Sequence, residues 1–424
     1  MPNLDVSQQQ AVDNISKLIS KIYLLIGAGG SGKTFTIQHL LTQLWEDDSN
    51  YINPDTTFLA APTGKAAKVI NDAFARAGFG VENEAKTIHR LLDYNPVADP
   101  PWGYNSDEKL DASLVILDEA SMVDSMLLFR VIDALPNDCV MILVGDDAQL
   151  PPVAPGQPFT DLIICGSQDI INRLTTNHRQ SQGSLIADGC LKILSGNKMT
   201  FGRQGEHTLG GILKDDLFFL EIDEKEDIPQ AVLSLVKLWN DNDEDYCILS
   251  PQHKGVVGVS EINSFLQREL NPSQPGVNEI KVGFLTLRVG DKVKNIKNNY
   301  ELNVFNGYNG TITSIDMDNT IVVVNFSGEI VVYEKKEHIK QLALGYCSTI
   351  HSAQGSQYKK GVLLIHNSHW YSWNRSLLYT AISRFREELH VIGNNRTIKR
   401  AISNIVSGSR NTYLKLKLSG DVEL

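Results

Sequence analysis

The stretch GAGGSGKT, residues 27–34, decides how the rest of the chain is read. It follows the apolar run IYLLI at 22–26 and precedes Ile37, Leu40, Leu41 and Leu44 at helical spacing, so it reads as strand, glycine-rich loop and helix. Gly27, Gly29, Gly30 and Gly32, with Ala28 and Ser31 between them, let backbone N–H groups turn inward as an anion nest at a helix N-terminus. Lys33 is then placed to reach the β and γ phosphates of a nucleotide, and Thr34 to offer its hydroxyl to Mg2+.

Working outward, SLVILDEASM at 113–122 is a buried strand closed by two carboxylates. Downstream of a phosphate loop that pattern suits Asp118 in the metal shell and Glu119 polarising an attacking water. VMILVGDDAQLPPV at 140–153 is another strand with a polar tip, where Gln149 can sense the γ phosphate. TTFLAAPTGKAA at 56–67 ends a strand in a loop on the same sheet edge, the edge where open parallel sheets bind ligands. Residues 93–112 are rich in Pro, Asp and Asn and lack a helical period, so they read as an insertion, either a loop or a small hairpin.

The second half repeats the alternation without a phosphate loop. DYCILSP at 245–251, GVLLIH at 361–366 and ELHVIG at 388–393 read as strands of a second parallel α/β unit. Residues 286–342 break that pattern with short strands and NG turns at 306–307 and 309–310, a small all-β module.

The bulk composition is that of a soluble globular protein: 424 residues, 42% hydrophobic and 21% charged, long enough for several cores. No run approaches the 18 apolar residues of a membrane span and the N-terminus is polar, so no membrane partner and an intracellular location are expected. Five cysteines without CxxC spacing argue against a zinc site or disulfide framework. A net charge of −11 weighs against non-specific coating of nucleic acid but leaves room for a narrow groove with local contacts.

Taken in order, Gln8, GAGGSGKT, APTGKAA, TIHRLL, DEASM, GDDAQLPPV, NHRQ, the NNY and VFNG of the β module, TIHSAQG and LYTAISR resemble a superfamily 1 helicase, most closely the 5′ to 3′ subfamily (superfamily 1B) that includes RecD and the phage helicase Dda. The likeness covers residues 4–395. It implies an α/β fold with two RecA-like parallel-sheet domains in tandem: domain 1A at 1–92 and 113–175, a hairpin-like 1B insertion at 93–112, domain 2A at 176–285 and 343–424, and a barrel-like all-β 2B insertion at 286–342. It implies ATP with Mg2+ as cofactors, Gln8 at the adenine, and Gln149, Arg179 and Arg384 on the γ phosphate, both arginines coming from the second domain. Single-stranded DNA is expected on Pro62, Thr63, Lys65, Thr87 and His89 of the first domain and on Ser348, Thr349 and His351 of the second. Hydroxyls suit a translocating grip because phosphates repeat at every nucleotide and carry no sequence information.

Opening duplex costs about 1.4 kcal/mol per base-pair step, so a wedge is required, and Trp102 or Tyr104 is its expected tip. Two features depart from the family: Ser352 stands where a lysine is usual, and the insertion is short. The chain begins close to the glutamine motif, as the compact phage-like forms do. The resemblance thus implies a monomeric ATP-dependent helicase acting on single strands and junctions in the cytoplasm of a bacterial or phage-infected cell, with replication or recombination proteins as partners. The alternative is an ATP-gated translocase or clamp that remodels protein–DNA complexes without strong unwinding.

Overall fold

The computed structural model describes residues 3–80, 82–178, 183–202, 215–241, 246–299, 301–326, 328–406, 410 and 412–419. The chain forms two compact units, Met1–Gln182 with Val406–Leu424, and Gly183–Ile405.

In the first unit, α1 (Val6–Ile15) opens with a capping box, the Asp5 carboxylate accepting the Gln8 N–H and the Gln8 side chain accepting the Asp5 N–H. Then follow β1 (Ile22–Gly27), α2 (Lys33–Glu46), β2 (Thr57–Ala61), α3 (Gly64–Arg76), β3 (Lys86–Thr87), α4 (Ile88–Leu91), β4 (Leu114–Leu117), α5 (Ser125–Ala134), β5 (Val140–Gly145), α6 (Pro158–Cys165) and β6 (Ile171–Leu174). The strands form one parallel sheet in the order β3-β2-β4-β5-β1-β6. Its central strands are apolar throughout because both faces are covered, one by a core around Leu25, Leu41, Ile70 and Ile142 and the other around Leu24, Leu117, Val131 and Leu143.

The second unit carries α7 (Leu185–Leu194), β7 (Leu217–Glu221), α8 (Ile228–Asp241), β8 (Tyr246–Ser250) and α9 (Val259–Leu270) before its all-β part. That part comprises the two-stranded ribbon β9 (Glu279–Val282) and β10 (Leu285–Arg288), then β11 (Lys292–Asn295), β12 (Asn309–Asp316), β13 (Ile321–Phe326), β14 (Glu329–Tyr333), α10 (Lys336–Ile339) and β15 (Leu342–Leu344). The last five strands make an antiparallel sheet in the order β14-β13-β12-β11-β15, so strand structure runs slightly beyond the expected 286–342 on both sides. The α/β pattern resumes with β16 (Cys347–Thr349), β17 (Tyr358–Ile365), α11 (Arg375–Ile382), β18 (Phe385–Gly393) and α12 (Asn395–Ser403), giving a parallel sheet in the order β16-β8-β17-β18-β7.

Two stretches expected in the second α/β unit pack with the first. The C-terminal helix α13 (Tyr413–Ser419) lies against α6: the Thr412 hydroxyl donates to the buried Asp161 carboxylate at 2.6 Å, and Arg410 donates to the Gly156 carbonyl at 3.1 Å. The stretch after β6 also stays with the first unit, His178 N–H donating to the Gly30 carbonyl at 3.2 Å. Among the described residues, no helix is long and apolar enough to cross a membrane.

Candidate nucleotide and nucleic-acid site

Strand β1 is buried from Tyr23 to its end, held between β5 and β6, and delivers the loop at the C-terminal edge of the sheet. A Cβ on Gly27 would lie 2.2 Å from Ser31 Oγ, and Gly32 is left-handed (φ 82°) with a Cβ position 2.4 Å from Gln8 Nε2, so neither tolerates a side chain. Helix α2 starts directly after Gly32 with no side chain capping its first turn. That leaves N–H dipoles for an anion. Lys33 folds back so that Nζ donates to the carbonyls of Gly27 (2.6 Å) and Ala28 (3.3 Å). The hydroxyl of Ser31, almost wholly buried, has no hydrogen-bond partner among the described residues.

Strand β4 is the neighbour of β5, and β5 of β1, so the residues after them gather at the same edge. Asp118 continues the ladder, its N–H donating to the Ala60 carbonyl at 2.9 Å while its carboxylate accepts the Glu119 N–H at 2.8 Å. Burial, with the Glu119 charge beside it, pushes the Asp118 carboxyl up to about 6, against the pull of Lys33. Glu119 is left-handed (φ 51°), the sharp turn that lets two successive carboxylates end one strand. Gln149 is buried after β5, its Nε2 3.4 Å from Asp146 and its Oε1 without a partner among the described residues. Two orphaned polar atoms and one carboxylate disfavoured as an anion on one sheet edge describe a site built for a ligand. The Thr34 hydroxyl and the Asp118 carboxylate are hard oxygen donors, and an ionised Asp118 gains from a nearby cation, so the donor set fits Mg2+.

Gln8, expected on the adenine, is buried and committed to the protein. Its Nε2 donates to the Ser31 carbonyl at 3.1 Å and lies 3.1 Å from His178 Nε2, whose ring is 3.0 Å from the Asp5 carboxylate. Gln8 therefore braces the phosphate loop. His178, within the NHRQ motif, was not singled out from the sequence although its neighbour was. That neighbour, Arg179, lies outside the described residues. Arg384 follows α11, buried, with Nε donating to the Thr380 carbonyl (3.1 Å), Nη1 to the Ser356 carbonyl (3.3 Å) and Nη2 to Ser383 Oγ (3.3 Å), all within the second unit.

The expected DNA contacts of the first unit stand at strand and helix ends. Pro62 precedes Thr63, whose hydroxyl caps α3, with Lys65 in its first turn; Thr87 caps α4, which carries His89. Burial holds His89 below its usual range, so it is neutral at pH 7. Its ring meets Tyr94 at 5.3 Å and Trp102 at 5.5 Å.

Residues 93–112 adopt the hairpin-like alternative: Tyr94 bridges Trp102 antiparallel, and Asn95 N–H donates to the Pro101 carbonyl at 2.8 Å. The aromatic pair does not form its tip. Trp102 packs on Tyr94 at 4.4 Å and under the Arg130 guanidinium at 5.9 Å, and both Trp102 and Tyr104 lie against the core, where their rings lose more water-exposed apolar area than a tip allows. The exposed apolar residue in the turn is Val97, 91% accessible.

In the second unit, Ser348 and Thr349 are buried at the end of β16 and His351 is exposed beyond them. Thr349 Oγ1 accepts the Ser352 N–H at 3.2 Å, and the two hydroxyls are 2.9 Å apart. Ser352 carries no charge, yet its Oγ accepts Lys294 Nζ of β11 at 2.7 Å, so an ammonium stands beside it. Strand alternation alone predicts that Lys294 faces away from Val293 and the core of the all-β part, the one signal in the sequence that could have found it.

Three family models match in order: an AAA domain at residues 8–155, the "ATP-dependent RecD-like DNA helicase SH3 domain" at 262–326 and the "UvrD-like helicase C-terminal domain" at 344–392. The chain is 30% identical over 373 residues to the ATP-dependent RecD2 DNA helicase of Deinococcus radiodurans, covering 88% of this chain and 47% of that one. It is 26% identical to the RecBCD enzyme subunit RecD of Mycolicibacterium smegmatis, over 97% of this chain and 74% of that one. The chain thus spans about half the length of the RecD2 relative. Its fold is that of the Pif1 helicases from Bacteroides, in complex with ADP-AlF3 and single-stranded DNA (TM-score 0.56, 20% identity, 99% and 97% covered), and from Candida albicans (TM-score 0.54, 18% identity, 99% of both). The resemblance to superfamily 1B helicases and the tandem RecA-like architecture read from the motifs both hold.

Proposed function

We propose that this RecD-like chain is an ATP-dependent DNA helicase that moves 5′ to 3′ on single strands and unwinds duplex by hydrolysing Mg-ATP. The observation that carries the reading is the phosphate loop: an ammonium held, among the described residues, only by the neutral carbonyls of Gly27 and Ala28, next to a Ser31 hydroxyl without a partner there and an Asp118 pushed up by burial. Triphosphate binding draws Lys33 off those carbonyls onto the β and γ phosphates. Thr34 and Asp118 would hold Mg2+, which would supply charge neutralisation at the same phosphates. Glu119 orients the attacking water and accepts its proton, and Gln149 holds that water through Oε1, which has no hydrogen-bond partner among the described residues, while its Nε2 is the group able to donate to the γ phosphate. Arg384, with Arg179, serves as the γ-phosphate cation, a charge whose arrival is worth about 10³ to 10⁵ in rate.

The DNA part of the reading is supported by the RecD-type relatives and by hydroxyl and imidazole groups at strand ends: Thr63, Thr87 and His89 in one unit, Ser348, Thr349 and His351 in the other. It acts as a monomer in the cytoplasm, on single strands and junctions, alongside replication or recombination proteins. The packing of Trp102 and Tyr104 favours a second reading, a translocase or clamp that displaces bound protein with little unwinding.

The test is ATPase activity with and without oligo-dT, then displacement of 5′-tailed and 3′-tailed duplexes and of a protein block. Strong stimulation by DNA with opening of the 5′-tailed duplex is expected. Hydrolysis indifferent to DNA overturns both readings, whereas block displacement without unwinding selects the second.

A further inference from the structure

The second unit holds a buried cation whose charge none of the described residues neutralises. Lys294 is only 8% exposed, and among the described residues it pairs with no carboxylate; its one hydrogen-bond acceptor there is the Ser352 hydroxyl at 2.7 Å. Ser352 donates its own proton to the Thr349 carbonyl at 3.1 Å, which turns its lone pairs to the lysine. Backbone pairing fixes the placement: Lys294 sits opposite Ala343 of β15 and Asn309 of β12, with Val293 and Asn295 on either side fully buried on the other face of the sheet. Burial alone lowers the ammonium below the usual lysine range, with only the thiols of Cys247 and Cys347 acting against it. An ammonium held by one neutral oxygen is a costly arrangement unless an anion completes it.

The position says which anion. Ser352 and His351 are exposed, so the hydroxyl that holds Lys294 is also the surface of the site. The facing turn leaves room there: a Cβ on Gly307 would meet nothing nearer than the Ser352 carbonyl at 3.9 Å. Lys binds an anion as a point charge and needs no planar fork, and on the DNA-binding reading above the anion that reaches this surface beside Thr349 and His351 is a backbone phosphate of a single strand.

We propose that Lys294, through Ser352 and Thr349, forms a binding subsite for one backbone phosphate of single-stranded nucleic acid in the second unit. The inference rests on the DNA-binding reading above and adds to it a residue from the all-β part. Lys294 supplies, from a strand some 58 positions away in sequence, the charge that residue 352 lacks.

The experiment measures affinity for fluorescent oligo-dT from low to moderate salt, for the intact chain and for Lys294→Met, Lys294→Gln and Lys294→Arg. Each phosphate contact on a single strand contributes about −0.7 to the slope of log K against log salt. Both neutral variants are expected to bind about tenfold more weakly, with the slope shallower by about 0.7, while Lys294→Arg keeps it. Adding Ser352→Lys to Lys294→Met restores the slope. Met and Gln are unbranched at Cβ and Cγ and only one atom shorter than lysine, and Gln keeps a donor for Ser352, so a folding failure of one leaves the other to read; thermal melts check both. If the intact chain binds oligo-dT and neither neutral variant changes the slope, this inference is overturned and the helicase reading stands. If affinity for a non-hydrolysable ATP analogue falls instead of affinity for DNA, the cation belongs to the nucleotide and the inference is overturned. If the intact chain binds no single strand, the DNA reading itself fails.

Discussion

Strands β1 and β8 are both buried parallel strands that end in a loop and lead to a helix, yet the two loops treat their polar groups in opposite ways. After β8, the Ser250 hydroxyl donates to the Val257 carbonyl at 2.7 Å, and the first N–H groups of α9 find the carbonyls of Gln252 (3.0 Å, from Val259) and His253 (3.1 Å, from Ser260). After β1, among the described residues, the Ser31 hydroxyl has no partner and no side chain caps the first turn of α2, while Lys33 rests on carbonyls. One loop closes on itself; the other leaves polar groups open, as an anion site requires. A site in this fold is legible as a local deficit of hydrogen bonds.

The largest test of that contrast removes one group from each loop. Lys33→Ala should lower ATP turnover about a hundred- to a thousandfold or more, because a charge aimed at the transferring phosphoryl group is lost. Ser250→Ala should leave DNA-stimulated turnover near the wild-type value and cost about 1 kcal/mol of stability, read from denaturant melts. Comparable ATPase losses in both variants would break the distinction.

Acid separates the two units in sign. Asp118 titrates in the folded protein at about 6, above its ordinary 3.8, so its ionised form burdens the metal-free fold at neutral pH and the burden lifts as pH falls through 6 towards 4. Asp118→Asn should therefore raise thermal stability at pH 7.5 without Mg2+, by at most about 3 kcal/mol, with the gain fading near pH 4, even as hydrolysis is lost. In the second unit, Glu388 accepts hydrogen bonds from His390 (2.8 Å) and Lys360 (3.1 Å), which draw its carboxyl down to about 2 from 4.5. The stability it lends is present above about pH 4.5 and is lost as pH falls towards 2. Glu388→Gln should cost about 1 kcal/mol at pH 7, less than the full shift implies because the pair is partly solvated, and nothing near pH 2. Melts of both variants across pH would sharpen the comparison if their differences run in opposite directions.

Much of this was readable beforehand, because order along the chain fixes what local chemistry cannot. The apolar runs gave the parallel strands, the glycines gave the loop, and carboxylates closing β4 gave Asp118 and Glu119 their place. What escaped was decided by partners distant in sequence. Trp102 turned inward because Tyr94, His89 and Arg130 offer it a packing surface. Val12, Ile15, Leu18 and Ile19 stand at helical spacing and predict one continuous helix, yet α1 stops at Ile15, Leu18 turns left-handed (φ 52°), and Ile19 is 81% exposed. The spacing Asp5-x-x-Gln8 is a capping box on its face, and that local role competes with any duty at a base. Lys294 belongs to a strand whose sequence says only which face it takes.

The return of α13 to α6 makes the second unit an insertion within the first, entered near residue 182 and left near residue 405. A single cut in either crossing leaves two fragments still joined through the Thr412–Asp161 and Arg410–Gly156 bonds, so limited proteolysis should nick the chain without releasing a half. Splitting the protein into separately expressed pieces requires two cuts, and the smaller terminal piece must be supplied as a peptide. Without it, Asp161 is left as a buried carboxylate whose Thr412 donor has gone.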